Sequence, residues 1–371
     1  MASPADTAVD NIWSLRSALR RLWTDHVVWT RMYIVAAVTP ELERLAGSAA
    51  TRLLKNQEDI GNAVVRFYGA APGAALTDLL KQHIMIAVDL VGAAKAGDQA
   101  RFSVEDAKWT KNAETIADLL AGANPNWPKA DVVDLLGQHL ALTKNETVAR
   151  LQQSWDADVE AFDQILTEIL TVAGVLADGL IKQFPDRFRN GRAAEKATSL
   201  RMAMARLWSD HVIWTRQYVI SAVADAPDAQ SAAGRLLRNQ DDIGGAVGSV
   251  YGPVAGQQTT DLLKEHIMIA VDIIDAAKKG DDKRFKEANE KWDANADEIA
   301  TLLSTANPNW PKPDVADLLM QHLNLTRKEV VAQLQKNDQD DVEAFDQILT
   351  EILTVADVLA TGIVKQFPDK F

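Results

Sequence analysis

The feature that most constrains the fold of this chain is an internal duplication. The segment "DVEAFDQILTEILTVA" occurs twice without change, beginning at Asp158 and at Asp341, and "DLLKQHIMIAVD" recurs as "DLLKEHIMIAVD". Because the repeat is longer than the roughly 20–50-residue module of a solenoid, each copy is expected to fold as a domain. The sequence predicts domains at 1–188 and 196–371, joined by a polar linker at 189–195. We expect the two domains to pack on each other as a pseudo-dimer.

Apolar residues within each copy recur every three or four positions, which is the spacing of one face of an α-helix. No segment alternates apolar and polar residues over more than a few positions, so no sheet is expected. Ser103 with Asp106, and Thr143 with Glu146, have the spacing of capping boxes that start helices. These signals predict an all-α fold of two tandem homologous domains. Each is expected to be an antiparallel four-helix bundle with two extra short helices, the second ending near Leu142.

Charge and composition narrow the functional classes. The chain has 371 residues, a formal net charge of -13 and no cysteine. Because nucleic-acid binding depends on clustered lysine and arginine, no nucleic-acid partner is expected. The most apolar segment, 165–181, is interrupted by Glu168 and Asp178, so no membrane partner is expected either. Residues 1–12 lack the basic and apolar regions of a secretion signal, which predicts a cytoplasmic protein.

Polar residues interrupt the apolar faces of the four long helices. A buried polar group without a partner costs roughly 1–3 kcal/mol, so these residues are expected to meet one another. Helix lengths and the rise per residue place His26, Gln57 and His83 in one layer, whereas they do not fix the level of Asp158. The set contains four residues from each copy: His26, Gln57, His83, Asp158, His211, Gln240, His266 and Asp341.

These residue types predict a metal site inside each repeat. Neutral imidazoles with a carboxylate suit Zn, Fe, Mn or Cu, and bundle interiors are a common place for such sites. His139 is expected to complete the ligand set, and Glu168 is a further candidate ligand or acid/base group. The predicted metal ligands are His26, His83, His139, Asp158, His211, His266, His322 and Asp341; the predicted cofactor-binding residues are Gln57, Glu168, Gln240 and Glu351.

Several familiar site motifs are missing from both copies. The Glu-x-x-His pairs of ferritin-like proteins and the His-x-x-x-His pairs of hemerythrins do not occur, so a dinuclear iron site of either kind is not expected. A glycine-rich phosphate loop, a G-x-S-x-G elbow and an H-E-x-x-H zinc motif are also missing. The sequence therefore leaves open whether the protein is an enzyme.

Two other functions are compatible with the same residues. A histidine on an apolar face is often bonded to a carbonyl or carboxylate, and a buried polar layer fixes helix register in some bundles. The chain would then be a non-enzymatic structural, interaction or stress protein. Its 10 tryptophans allow a third function, in which a Trp-lined cavity binds an apolar small molecule.

The combination of "LWxDHVxWTRxY", "LLKNQEDIGNA", "ANPNW" and a terminal "KQFPD" resembles small single-copy bacterial helical proteins. The similarity covers essentially all of each unit. It implies that one unit folds alone, and it carries no activity or site with it.

Overall fold

The computed structural model describes residues 12–188 and 195–371, and these form helices with no strand among them. The chain divides into two compact units, Met1–Ala193 and Ala194–Phe371. The all-α prediction is therefore confirmed. Of the linker predicted at 189–195, all but the last residue lies outside the described residues, and Glu195 begins a helix.

Among the described residues, each unit contains six long helices. Those of the first unit are α1 (Ile12–Val38), α2 (Ala46–Tyr68), α3 (Ala70–Ala96), α4 (Gln99–Ala123), α5 (Lys129–Leu151) and α6 (Trp155–Gln183). Those of the second are α7 (Glu195–Val223), α8 (Ala229–Tyr251), α9 (Pro253–Lys279), α10 (Asp282–Ala306), α11 (Lys312–Gln335) and α12 (Asp338–Gln366). Short 3₁₀ segments lie at Pro40–Leu45 and Pro185–Phe188.

The prediction of two extra short helices per domain is wrong, because α4 and α5 have 25 and 23 residues. Thr143 does not start a helix; it lies inside α5 and donates its hydroxyl hydrogen bond to the carbonyl of His139. Ser103 likewise lies inside α4, which begins after the N-cap Asp98. A serine or threonine inside a helix can bond to the carbonyl four residues earlier. Its position three residues before an acidic residue therefore does not by itself mark the start of a helix. The boundary between α5 and the last helix comes later, at Gln153, whose backbone φ of 55° is left-handed.

The helices of the first unit form a closed ring around a shared core. Each helix packs against the next one in the chain, and α6 returns to pack against α1. Three alternate helices, α1, α3 and α5, also touch one another at the centre. The unit can therefore be described as three helical hairpins, α1–α2, α3–α4 and α5–α6, each with its first helix on the inside.

One close approach fixes a tryptophan of the loop before α5 against α6. Trp127 is buried and donates its indole N–H to the carbonyl of Val175 at 3.2 Å. A Cβ atom at Gly179 would lie 1.9 Å from Trp127 Nε1, so only glycine leaves room for the indole there. Gly362 and Trp310 repeat this contact in the second unit.

Two helices, α6 and α12, are long and apolar enough to cross a membrane by length and composition alone. About half of each apolar window, 50% and 56%, is buried. Phe162, Ile165 and Ile169 of α6 lie on that buried face. The same composition is expected of a core helix, so it is weak evidence for a membrane span.

Candidate metal centre

The three histidines of the first unit lie together at the centre of the ring. His26 comes from α1, His83 from α3 and His139 from α5, and all three are buried. Their ring centroids are 5.6 Å (His26 to His139), 6.3 Å (His26 to His83) and 6.4 Å (His83 to His139) apart. Each inner helix thus contributes one imidazole to a nearly equilateral triangle.

Each imidazole meets one side-chain oxygen from the outer helix of its own hairpin. Nδ1 of His26 lies 3.3 Å from Gln57 Oε1, and Nδ1 of His83 lies 2.9 Å from Asn112 Oδ1. Nδ1 of His139 lies 3.2 Å from Glu168 Oε2. The arrangement of one imidazole and one oxygen acceptor is therefore repeated three times around the centre.

The amide groups are held so that their oxygens face the imidazoles. Asn112 donates from Nδ2 to the carbonyl of Leu79 at 3.1 Å, which leaves Oδ1 for His83. Gln57 donates from Nε2 to the carbonyl of Leu53 at 2.7 Å, which leaves Oε1 for His26. An oxygen at Nδ1 places the imidazole hydrogen on Nδ1 and the free lone pair on Nε2. This tautomer is the one needed to bind a metal through Nε2.

The second unit repeats the cluster with His211, His266 and His322. The ring centroids are 5.5, 6.4 and 6.4 Å apart. His266 meets Asn295 at 2.9 Å and His322 meets Glu351 at 3.2 Å. The third contact is missing, because His211 Nδ1 and Gln240 Oε1 have no hydrogen-bond partner among the described residues. Burial, with His322 and His266 as neighbours, lowers the pKa of His211 well below its usual value.

The carboxylate beside His139 is only partly satisfied. Glu168 is buried, and its Oε1 atom has no hydrogen-bond partner among the described residues. The same holds for Oε1 of Glu351 in the second unit. A buried carboxylate is costly unless a positive charge or enough hydrogen bonds offset it. A cation at the centre of the histidine triangle would supply the missing charge.

Burial keeps two of the three imidazoles neutral. Burial lowers the pKa of His83 to about 3, and the charge of a protonated His139 would lower it further. Burial, with His139 and His83 as neighbours, also holds the pKa of His26 well below its usual value. The neutral form is the one that binds metal ions.

These low values predict that the metal-free protein loses stability in acid. A histidine with a lowered folded-state pKa contributes stability above the unfolded pKa of about 6.5, and this is lost as the pH falls toward 3. At about 1.4 kcal/mol per pH unit, His83 is expected to remove about 3 kcal/mol from the unfolding free energy between pH 6.5 and 4.5. Native-state hydrogen exchange of peptides from the first unit, recorded at the two pH values, measures this loss.

The matched variant for this test is His83→Leu, which has no imidazole to protonate. Its unfolding free energy is expected to fall less over the same interval, by about the 3 kcal/mol assigned to His83. Titrating groups outside the histidine cluster contribute equally to both proteins and cancel in the comparison, whereas His26, whose pKa is lowered partly by His83, adds to the difference. Equal losses in wild type and variant would contradict the prediction.

The triangle is slightly wider than a metal-bound one. As the side chains lie, no three His, Asp or Glu groups among residues 12–188 and 195–371 are in position to hold an ion. With metal–nitrogen distances near 2.0–2.1 Å, a tetrahedral site places imidazole centres ~5.2 Å apart. Each ring would need to move inward by ~0.5 Å to reach that geometry.

A cavity of about 60 Å³ lies next to the histidines of the first unit. His26, His83 and His139 line it, and most of the remaining lining residues are leucine, isoleucine and valine. Along α2 the lining extends from Ile60 to Tyr68, a distance of about 12 Å at the helical rise per residue. Space is therefore available beside the imidazoles in an apolar surrounding.

Asp158, proposed above as a metal ligand, is held by arginines instead. Arg31 donates from Nη1 and Nη2 to its two carboxylate oxygens, both at 2.9 Å, and Arg150 donates to Oδ2 at 3.1 Å. Burial acts to raise the pKa of Asp158, but the two arginines outweigh it and lower the pKa. Asp341 is held in the same way by Arg216. A carboxylate bound by arginine is unavailable as a metal ligand.

Glu146 shares Arg31 with Asp158 and is not the helix cap that its spacing indicates. It accepts a hydrogen bond from Arg31 Nη1 at 2.6 Å. Burial raises the pKa of Glu146 to about 7 although Arg31 acts against it. Its contribution to stability is therefore complete below pH 4.5 and is lost as the pH rises through 7.

Sequence reasoning missed two members of the site, Asn112 and Asn295. Asn112 lies on α4 and Asn295 on α10, and the apolar pattern predicts that these helices pack outside the bundle. Their positions show a regularity that could have revealed them. The pairs His83–Asn112 and His139–Glu168 are each separated by 29 positions, and His26–Gln57 by 31.

Comparisons with known proteins provide no relative to interpret the site. No family model, curated protein or solved structure matches the chain.

Proposed function

We propose that each repeat binds one transition-metal ion through Nε2 of its three histidines. The observation that carries the proposal is the oxygen partner at every Nδ1 of the first unit: Gln57, Asn112 and Glu168. Metal-bound histidines almost always donate their other N–H to a carboxylate, carbonyl or water oxygen, which fixes the ring and makes it a better ligand. A histidine buried only for packing also needs an acceptor for its N–H, so the convergence of three such pairs on one centre is what favours a metal.

The charge of the cluster supports the same proposal. If the three imidazoles are counted as neutral metal ligands and Glu168 as a carboxylate, the formal charge of the site without a metal is about −1. A divalent ion changes this to about +1 and gives the unpartnered Oε1 of Glu168 a nearby positive charge. Coulombic attraction to the buried carboxylate therefore favours a bound cation.

The ligand type selects among metals. Three imidazole nitrogens suit Zn, Fe, Cu or Ni better than Mg or Ca, which prefer oxygen ligands, and Mn is also better served by carboxylates. Three protein ligands leave a fourth position open, as in catalytic zinc sites. In the first unit the cavity borders the imidazoles, so a non-protein ligand has room at that position.

Loading with Co²⁺ tests the proposal, because Co²⁺ replaces Zn²⁺ and has visible bands sensitive to coordination. Metal-free protein is titrated with Co²⁺, and bound metal is measured by elemental analysis after gel filtration. We expect two ions per chain and intense bands typical of four-coordinate nitrogen sites. Binding of fewer than about 0.2 ions per chain for each of Co, Zn, Fe and Cu would contradict the proposal. The polar layer would then only fix helix register.

A further inference from the structure

The polar atoms around the cavity of the first unit are few, and most are already satisfied. Tyr68 bonds to Gln183, and Trp127 donates to Val175. Trp23 also lines the cavity, and its buried Nε1 has no hydrogen-bond partner among the described residues. Its ring meets that of His26 edge to face, with centroids 5.5 Å apart. One unused N–H donor therefore lies beside the histidine triangle.

The size of the cavity limits what it can hold. Its volume of about 60 Å³ is well below the roughly 150 Å³ of an engineered apolar cavity that binds benzene. A water molecule occupies about 30 Å³ of liquid, so the space fits only about two to four non-hydrogen atoms. The leucine, isoleucine and valine walls favour an uncharged molecule, since a charge would lose its hydration there.

We propose that this cavity is the ligand chamber of the metal centre and takes an uncharged molecule of about two to four non-hydrogen atoms. One end of the molecule carries a lone pair and occupies the open metal position. Its apolar remainder lies against the aliphatic walls, and the Trp23 N–H is the donor available to it. The inference rests on the metal site proposed above.

The second unit keeps nearly the same chamber residues. All but four of the lining residues have an identical counterpart there. The four exceptions pair Leu19 with Met204, Phe67 with Val250, Leu76 with Thr259 and Leu180 with Ile363. We therefore expect both repeats to accept the same class of ligand.

The first experiment uses xenon, which fills small apolar cavities without needing a metal. Crystals of the metal-free chain are pressurised with xenon, and an anomalous peak is expected between His83, Leu80 and Ile169. Ala63 is a half-buried lining residue, and Ala63→Leu is designed to fill the space. The peak should disappear in this variant, while Ala246→Leu, its counterpart in the second unit, should leave the first peak unchanged. No xenon in the wild-type chamber would overturn the inference.

The second experiment asks whether the chamber opens on the metal. A chain with His266→Leu keeps only the first metal site, and its Co²⁺ bands are recorded with acetonitrile and with benzonitrile. Acetonitrile is expected to shift the bands saturably, and Ala63→Leu should abolish the shift. Benzonitrile carries the same nitrile group on a larger body and should have no effect.

The outcomes separate this inference from the proposal on which it rests. Failure to take up Co²⁺ removes the metal site, whereas xenon binding still reports on the cavity. Normal Co²⁺ uptake with no xenon peak, or with equal responses to the two nitriles, overturns the chamber alone. Normal uptake with binding of acetonitrile but not benzonitrile supports both.

Discussion

A chain carrying His83→Leu is expected to bind one transition-metal ion where the wild type binds two. His83 supplies one of the three imidazoles in the first unit, and the second unit is unchanged. Loss of an outer-shell partner alone costs about 10–100-fold in metal affinity, so loss of a ligand should weaken the first site by at least about 100-fold. Titration with Co²⁺ and elemental analysis measure both the number of ions and their affinities.

The duplication supplies an internal control for this experiment. His266→Leu should remove the other ion, and the double variant should bind none. Asn112→Leu leaves all three ligands in place but removes the oxygen at His83 Nδ1, so it should weaken the first site by about 10–100-fold. If the single variants still bind two ions at wild-type affinity, the histidines do not form the site.

Arg31→Met is expected to lower the stability of the first unit by about 3–5 kcal/mol, because it leaves two buried carboxylates without their shared cation. Arg31 bonds to Glu146 at 2.6 Å and to both oxygens of Asp158 at 2.9 Å. The side chain also lies over the ring of Phe162, with 4.7 Å from Cζ to the centroid. Methionine keeps much of that packing volume, so the loss reports mainly on charge.

Native-state hydrogen exchange read by peptide is the appropriate measurement, because two units need not unfold together. Peptides from α1 and α6 should lose protection, whereas peptides from α7 and α12 should not. Arg150→Gln is the matched control, since glutamine stands at the equivalent position 333 and Asp158 keeps its paired bonds to Arg31. A loss as large for Arg150→Gln as for Arg31→Met would contradict this assignment of roles.

The sequence predicts the fold class and the buried histidines more reliably than the boundaries of the helices. The spacing of apolar residues every three or four positions extends over the whole of each copy, so it predicts an all-α chain without depending on any single residue. The predicted start of the last helix depends instead on one short motif, the spacing of Thr143 and Glu146. Thr143 and Glu146 match a capping box, but inside α5 the Thr143 hydroxyl bonds to the carbonyl of His139 in the same helix, and Glu146 bonds to Arg31 of α1. Local spacing cannot distinguish these arrangements.

The partners of the polar residues depend on long-range packing and were harder to predict. Asp158 lies on the same buried face of α6 as Phe162 and Ile165, which suggests the bundle centre. It meets Arg31 of α1, which is 127 positions away in sequence, and Arg150 near the end of α5, which is eight positions away. His139 was assigned to the end of a short helix, but it lies inside the full-length α5. Only the ring of six helices brings it to His26 and His83.

The threefold arrangement of hairpins has a consequence for the stability of a loaded unit. One ion held by α1, α3 and α5 would connect the beginning, middle and later part of the same chain segment, much as a covalent cross-link does. No hairpin could detach without releasing it, so the occupied unit should open all at once. At a free ion concentration 100 times the dissociation constant, binding of the ion adds about 2.7 kcal/mol to the unfolding free energy. The free concentration of the ion would then determine the stability of each folded unit.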